Sequence, residues 1–165
     1  MKKHLLEYAQ YNLWANELFI NHFRNTADAL IEAEVVSSFP SIRKTMMHLW
    51  DVEVLWLARL NGISPTEFPS KNFNGSNAEV YDNLLAASQA FVAFIEDKPA
   101  PFFRDKITYR LIVASGEFTQ TVTHILLHFF NHQTMHRGQL ITMCRQLNIL
   151  PIPNINMLTM FTNLK

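Results

Sequence analysis

The stretch from Thr121 to Leu147 carries a histidine at every fourth position, and it constrains the fold more than any other part of the chain. It has no proline and a single glycine, Gly138, and it holds four of the chain's seven histidines: His124, His128, His132 and His136. Residues four apart lie one above the other along one face of a helix. The stretch therefore predicts a long helix with a row of imidazoles.

This row turns slowly around the helix axis. Each step of four residues rotates the side chain by about 40°, so the first and last histidines point about 120° apart. All four rings therefore cannot bind one ion. Two neighbours, about 6 Å apart, can converge on one metal.

The histidine row also lies on the apolar side of the predicted helix. Within roughly 80° of His132 lie Ile125, Phe129, Leu140, Met143 and Leu147, with His128 and His136 about 40° to either side. One interpretation is that buried imidazoles hydrogen-bond to one another or to carbonyl groups. The other is a metal site, because three titratable rings in a dry core are costly unless a cation satisfies their nitrogens.

The composition limits the class of protein. With 165 residues, 48% of them apolar, we expect a single domain over residues 1–165. Lys plus Arg and Asp plus Glu both count 14, so no net charge attracts nucleic acid or an acidic membrane. Cys144 is the only cysteine, and no stretch approaches the roughly 20 apolar residues of a membrane span. We expect a cytoplasmic protein that binds neither nucleic acid nor membrane.

Three further long helices are predicted from helical spacing of apolar residues, over Lys3–Asn25, Ser41–Asn61 and Ala78–Asp97. Ser41 is the expected N-cap of the second helix, and Gly62 ends it. His48 lies at the edge of that helix's apolar face, where a histidine could be an ordinary partly exposed core residue. It is also the only histidine in the middle of another strong helix, which makes it the natural third ligand. Asp51, about 60° from His48, is an outer-shell candidate, and Glu53, about 140° away, is predicted to be solvated.

The connections carry their own signals. Asn61–Asn77 is predicted to be a long loop that either covers another part of the protein or packs over one end of the bundle. Asn77 is predicted to be a helix cap without a capping box. Alternation over residues 107–113, followed by residues 117–120, predicts a small β-hairpin. Asn148 stands where a glycine would usually end the histidine helix. We expect a short helix over Ile155–Lys165 that packs Leu158 and Phe161 on the bundle.

These elements predict an all-α four-helix bundle with a β-hairpin before the last long helix, an architecture that often holds metal between facing helices. Two ligand sets stay open: His48 with His132 and His136, or His48 with His128 and His132. Three neutral imidazoles and one open position suit zinc or nickel first, with iron or manganese as further options. A di-iron carboxylate site is excluded, because neither histidine helix carries Glu-x-x-His.

Three motifs together resemble the DinB (DinB/YfiT-like) superfamily of metal-dependent enzymes, over nearly the whole chain. They are His132-x-x-x-His136-Arg137-Gly138-Gln139, the upstream His48 in HLWDVEVLW, and the opening Tyr11-Asn12-Leu13-Trp14-Ala15-Asn16. The resemblance implies a four-helix bundle, usually a homodimer, with a divalent metal held by His48, His132 and His136. His128 then becomes an outer-shell or pocket residue.

Residues beside the HRGQ motif have predicted roles of their own. Gln139, about 20° from His132, is expected to hydrogen-bond a ligand imidazole, and Arg137, about 140° away, to make interhelical or dimer contacts. Gly138 is expected to permit close helix packing. Cys144 is expected to be a small core residue.

The resemblance implies a metal-dependent reaction but does not identify its substrate, since the superfamily includes thiol-dependent S-transferases, isomerases and hydrolases. We expect an enzyme whose metal activates a low-molecular-weight thiol or a water for transfer or hydrolysis of a small molecule. The alternative is a non-catalytic metal-binding or dimerising module of a stress response. Three protein ligands favour the enzyme, because a structural zinc normally has four.

Overall fold

A computed structural model describes residues 1–163, and most of them are helical. The elements in chain order are α1 (Lys2–Arg24), α2 (Asp28–Glu32), α3 (Ile42–Leu60), α4 (Asn77–Asp97), β1 (Lys106–Arg110), β2 (Glu117–Thr121), α5 (Val122–Gln146) and α6 (Met157–Asn163). The long helices α1, α3, α4 and α5 form the predicted four-helix bundle. The two strands form the predicted antiparallel hairpin directly before α5.

The core divides into two large clusters along the bundle. One lies toward the hairpin and includes Trp56, Phe91 and Phe129, and the other lies toward the opposite end and includes Phe19, Leu49 and Leu140. Phe91 and Phe129 stack with their ring centroids 4.2 Å apart. On α5 the two clusters leave between them the segment from residue 131 to residue 139, which contains His132 and His136.

Local chemistry accounts for the helix ends. The Ser41 side chain accepts a hydrogen bond from the Lys44 N–H, as predicted for the N-cap of α3. For α4 the expected cap was wrong: the helix begins after Ser76, which forms a full capping box with Glu79. At the end of α5, Asn148 adopts the left-handed conformation with φ 54° in place of a glycine.

Two other segments differ from the prediction. The alternation predicted a strand as far as Val113, but the first strand ends at Arg110. Residues 111–116 form the turn, and Val113 is 80% exposed. Helix α6 buries Met160 and leaves Leu158 71% exposed, so the predicted packing of Leu158 was wrong. Phe161 packs against the cluster of Tyr11 and Met160, as expected. The last two residues of the predicted Ile155–Lys165 helix lie outside the described residues.

Among residues 1–163, no helix combines the length and the apolar character that crossing a bilayer requires.

Candidate metal centre

Three imidazoles meet between α3 and α5. The Nε2 atom of His132 lies 3.4 Å from Nε2 of His48 and 3.2 Å from Nε2 of His136. One ring nitrogen from each residue lies within 4.8 Å of the other two. The structure thus brings together the set of His48, His132 and His136, and it leaves His128 outside this group.

These distances fit a tetrahedral ion. Zinc–imidazole bonds of 2.0–2.1 Å at tetrahedral angles place neighbouring nitrogens about 3.3 Å apart. Without a cation the three Nε2 atoms cannot all be paired by hydrogen bonds. Neutral His132 can offer only one proton to two neighbouring nitrogens through the same Nε2 atom. A shared cation would satisfy all three lone pairs at once.

Burial keeps the three rings in the neutral form that binds metals. It lowers the pKa of His48 to about 3 and that of His132 to about 4, and in each case positive charge on neighbouring imidazoles lowers the pKa further. Burial also lowers the pKa of His136. Near neutral pH all three rings are therefore uncharged, so protons do not compete with a cation for their lone pairs.

Gln139 orients one of the rings. The Nδ1–H of His136 donates to Oε1 of Gln139 over 2.8 Å, and Nε2 of Gln139 donates to the Ser38 hydroxyl over 2.9 Å. Because an amide oxygen only accepts, His136 carries its proton on Nδ1 and leaves Nε2 free. The ligand imidazole expected beside Gln139 is therefore His136. In contrast, Nδ1 of His132 is buried without a hydrogen-bond partner among the described residues.

Phe39, which the sequence did not single out, lies over the imidazoles. Its ring stacks on His48 with centroids 4.2 Å apart and lies 5.6 Å from His136. Together with Ser38 it belongs to the irregular segment between α2 and α3. In the sequence this segment showed only an aromatic residue before Pro40. It has no helical or strand periodicity from which the position of the Phe39 ring could be predicted.

Asp51 lies under the loop that precedes α4. Its carboxylate accepts hydrogen bonds from the backbone N–H of Ser70 over 2.8 Å and from its hydroxyl over 2.6 Å. Burial raises the pKa of Asp51, while both bonds from Ser70 oppose that shift. The 61–77 loop therefore packs on α3, and Asp51 anchors it there.

His128 lies apart from the three converging imidazoles. Its ring centroid is 6.0 Å from that of His132 and 5.7 Å from that of Trp56. The expectation that it points into the core was wrong: it is exposed, and it lines a cavity of about 360 Å³ beneath the hairpin. Its pocket or outer-shell role stays a prediction.

A second cavity, of about 320 Å³, opens directly onto His48. Its walls come from the start of α3, from the segment before it and from the 61–77 loop: Phe39, Lys44, Met47, His48, Asp51, Phe68, Ser70 and Lys71. A small molecule in this cavity would therefore contact one of the three imidazoles.

Glu53 was predicted to be solvated, and this was wrong. Its side chain is 0% exposed and accepts hydrogen bonds from Asn12, Asn16 and Ser88 over 2.8 to 3.0 Å. Burial raises the pKa of Glu53 to about 7, against the effect of these donors and of Arg137. The helical-wheel angle between Glu53 and His48 did not predict this burial, because α1 and α4 cover this side of α3.

The remaining expectations near the motif have mixed outcomes. Arg137 is buried and makes interhelical hydrogen bonds, as predicted. Cys144 is a buried core residue whose thiol pKa is raised to about 11 by burial. The explanation of Gly138 was wrong: a Cβ atom there would meet nothing within 4 Å, so close packing does not require the glycine.

Comparison with known proteins agrees with this architecture. The model of the DinB family matches residues 1–156. Protein DinB of Bacillus subtilis (strain 168) is 26% identical over 147 residues, which cover 83% of this chain and 82% of that relative.

Proposed function

The chain belongs to the DinB family, and from this premise we propose that it is a divalent-metal-dependent enzyme that activates a thiol or a water for group transfer or hydrolysis. The observation that carries the proposal is the meeting of three neutral imidazoles at distances suited to one tetrahedral ion. His48, His132 and His136 are the proposed ligands. Zinc or nickel is the proposed metal, with iron or manganese as further options.

A divalent ion in this set would lower the pKa of a thiol or water in its remaining position. The protein supplies the orientation. Gln139 holds the His136 ring with Nε2 facing His132, and Phe39 covers the His48 ring on one side. The cavity beside His48 provides the space for a substrate.

The number of ligands supports an enzyme over a purely structural metal site. Within residues 1–163, the group of side chains that could hold a metal has three members. A closed structural zinc site normally has four protein ligands, whereas catalytic zinc keeps one position open. The competing hypothesis of a non-catalytic module would gain support from a fourth protein ligand that closed the site.

We also propose that the protein acts as a homodimer on a small molecule, with a low-molecular-weight thiol as co-substrate, in the cytoplasm. Support for the dimer comes from three large apolar side chains on the outer surfaces of α1 and α5. Tyr8, Leu127 and Met135 are 40%, 40% and 53% exposed. Light scattering after size-exclusion chromatography would test the dimer.

The first test is the metal content of protein purified without an affinity tag and without added metal, measured by elemental mass spectrometry. About one divalent ion per chain, followed by thiol transfer or hydrolysis that stops when a chelator removes the ion, would support the proposal. Absence of metal, with no uptake of zinc or nickel on titration, would contradict it.

A further inference from the structure

The four histidines in the row on α5 become progressively more buried along the helix. His124 and His128 are exposed, His132 is half-buried and His136 is buried. Residues four apart on a helix are neighbours, with Cβ atoms about 6 Å apart. The row of imidazoles therefore runs from the protein surface to the three converging rings. The proposed ligand set uses only the two inner histidines of this row, which leaves the two outer ones without a function.

The two outer histidines line one cavity, the space of about 360 Å³ beneath the hairpin. In the part of the chain that the structure describes, no lysine, arginine or carboxylate belongs to this lining. The guanidinium of Arg59 lies 4.7 Å from the centroid of the Trp56 ring and is not one of the lining residues. Imidazole is a common ligand of zinc, nickel, copper and iron. A divalent cation in this cavity therefore meets two ligands and no charged side chain in the lining.

The cavity is connected to the three converging imidazoles by one pair of neighbouring rings. The ring centroids of His128 and His132 lie 6.0 Å apart. An ion bonded to one nitrogen of each ring at 2.0–2.1 Å would hold the two centroids at most about 6.5 Å apart, so both rings can bind the same ion. Nδ1 of His132 has no hydrogen-bond partner among the described residues. The His132 ring can therefore turn toward His128 without losing a hydrogen bond at that atom.

The cavity beside His48 is the other opening to these imidazoles, and its charges differ. Lys44 belongs to its lining and forms no ion pair within residues 1–163. The carboxylate of Asp51 is also in this lining, and both of its oxygens accept hydrogen bonds from Ser70. A cation that enters beside His48 therefore meets an unpaired positive charge, which repels it. The lining beneath the hairpin presents no such charge.

We propose that His124 and His128 take up the divalent cation in the cavity beneath the hairpin, and that His128 passes it to His132, where it also meets His48 and His136. The inference rests on the proposed function, because it assigns the route by which that metal centre is loaded. Each step exchanges one ligand of the ion, a water or an imidazole, for the next imidazole in the row. No bond within the protein is formed or broken.

The experiment mixes metal-free, full-length protein with Co²⁺ in a stopped-flow spectrometer. The d–d absorption of Co²⁺ at the three imidazoles follows its uptake, and mixing the loaded protein with excess chelator follows its loss. An equilibrium titration provides the dissociation constant separately. The proteins compared are the wild type, His124→Ala, His128→Ala and His4→Ala. His4 is an exposed histidine on α1, so its replacement is the matched control for the loss of a surface imidazole.

His128→Ala should slow the uptake of Co²⁺ about tenfold or more, because it removes the high effective concentration that a neighbouring binding site provides. It should slow the loss of Co²⁺ by the same factor, since a residue on the route affects both directions and leaves their ratio, the dissociation constant, unchanged. His124→Ala should have a smaller effect in the same direction. His4→Ala should have wild-type rates.

Wild-type rates in His128→Ala would overturn the proposed route while leaving the three proposed ligands intact. A changed dissociation constant in His128→Ala would also overturn it, because His128 would then be a ligand or an orienting residue of the loaded centre. If the wild type binds no Co²⁺ at all, the proposed metal centre fails, and the inference fails with it. Circular dichroism checks that each variant is folded.

Discussion

The carboxylate of Glu53 and the guanidinium of Arg137 are joined through the same two asparagine amides. Asn12 and Asn16 each donate from Nδ2 to Glu53 and accept at Oδ1 from Arg137. Glu53 lies on the helix of His48, and Arg137 directly follows His136. The buried network thus connects α3 and α5, the two helices that carry the imidazoles, through α1.

We expect Glu53→Leu to destabilise the protein by about 3–5 kcal/mol, because it leaves the Arg137 charge buried without its counterpart. The double variant Glu53→Leu/Arg137→Met should cost less than the sum of the two single changes by at least about 1 kcal/mol. Urea unfolding of the four proteins measures this coupling. Additive costs would show that the two charges do not interact through the amides.

Replacing His48, His132 or His136 by alanine should remove the metal while leaving a folded bundle, because each change removes one of three ligands. His128→Ala is the matched control on the same helix, and it should retain about one ion per chain. Elemental mass spectrometry and circular dichroism measure the two properties. Stoichiometric metal in any of the first three variants would refute the ligand assignment.

Gln139→Leu should weaken metal affinity about tenfold or more, because His136 loses the hydrogen bond that sets its tautomer and ring orientation. Ser38→Ala removes only the other partner of Gln139 and should have a smaller effect. Competition with a chromophoric chelator measures both affinities. Equal affinities for wild type and Gln139→Leu would exclude this orienting role.

Gly138→Ala should stabilise the protein by about 0.5–1 kcal/mol, because alanine favours the helix and the added methyl meets no atom within 4 Å. As a control, Gly62→Ala should destabilise it by about 1–2 kcal/mol, because Gly62 has φ +80°. Urea unfolding gives both values. Destabilisation by Gly138→Ala would point to a packing role absent from the structure.

The metal-free protein should lose stability as the pH falls below about 6.5. His132 binds its proton near 6.5 when unfolded and near 4 when folded, so between these values the unfolded chain binds more protons. Glu53, whose pKa is raised on folding, acts in the opposite direction in an overlapping range. The wild type and His132→Ala both retain Glu53, so the difference between their pH dependences of stability cancels the contribution of Glu53.

In this comparison, the wild type should lose more stability than His132→Ala between pH 7 and pH 4.5, by roughly 1 kcal/mol, a value discounted for the partial exposure of the ring. Urea unfolding at both pH values provides the difference. Equal losses in the two proteins would mean that the folded and unfolded pKa values of His132 do not differ.

The sequence by itself determined the local features of this protein. Helical spacing without proline predicted the four long helices, a serine marked the start of α3, and alternation marked the hairpin. The row of histidines on one helix, with His48 on another, indicated three imidazoles that could converge. Spacing sufficed because a helix fixes the angle between its own residues whatever surrounds it.

Only the tertiary structure decided which side chains are covered and what they contact. Glu53 is buried because α1 brings Asn12 and Asn16 over it, and His128 is exposed beside the cavity beneath the hairpin. The position of Phe39 over His48 likewise depends on the path of an irregular segment. A helical wheel gives a direction within one helix, whereas burial and hydrogen bonding depend on where other elements lie along that direction.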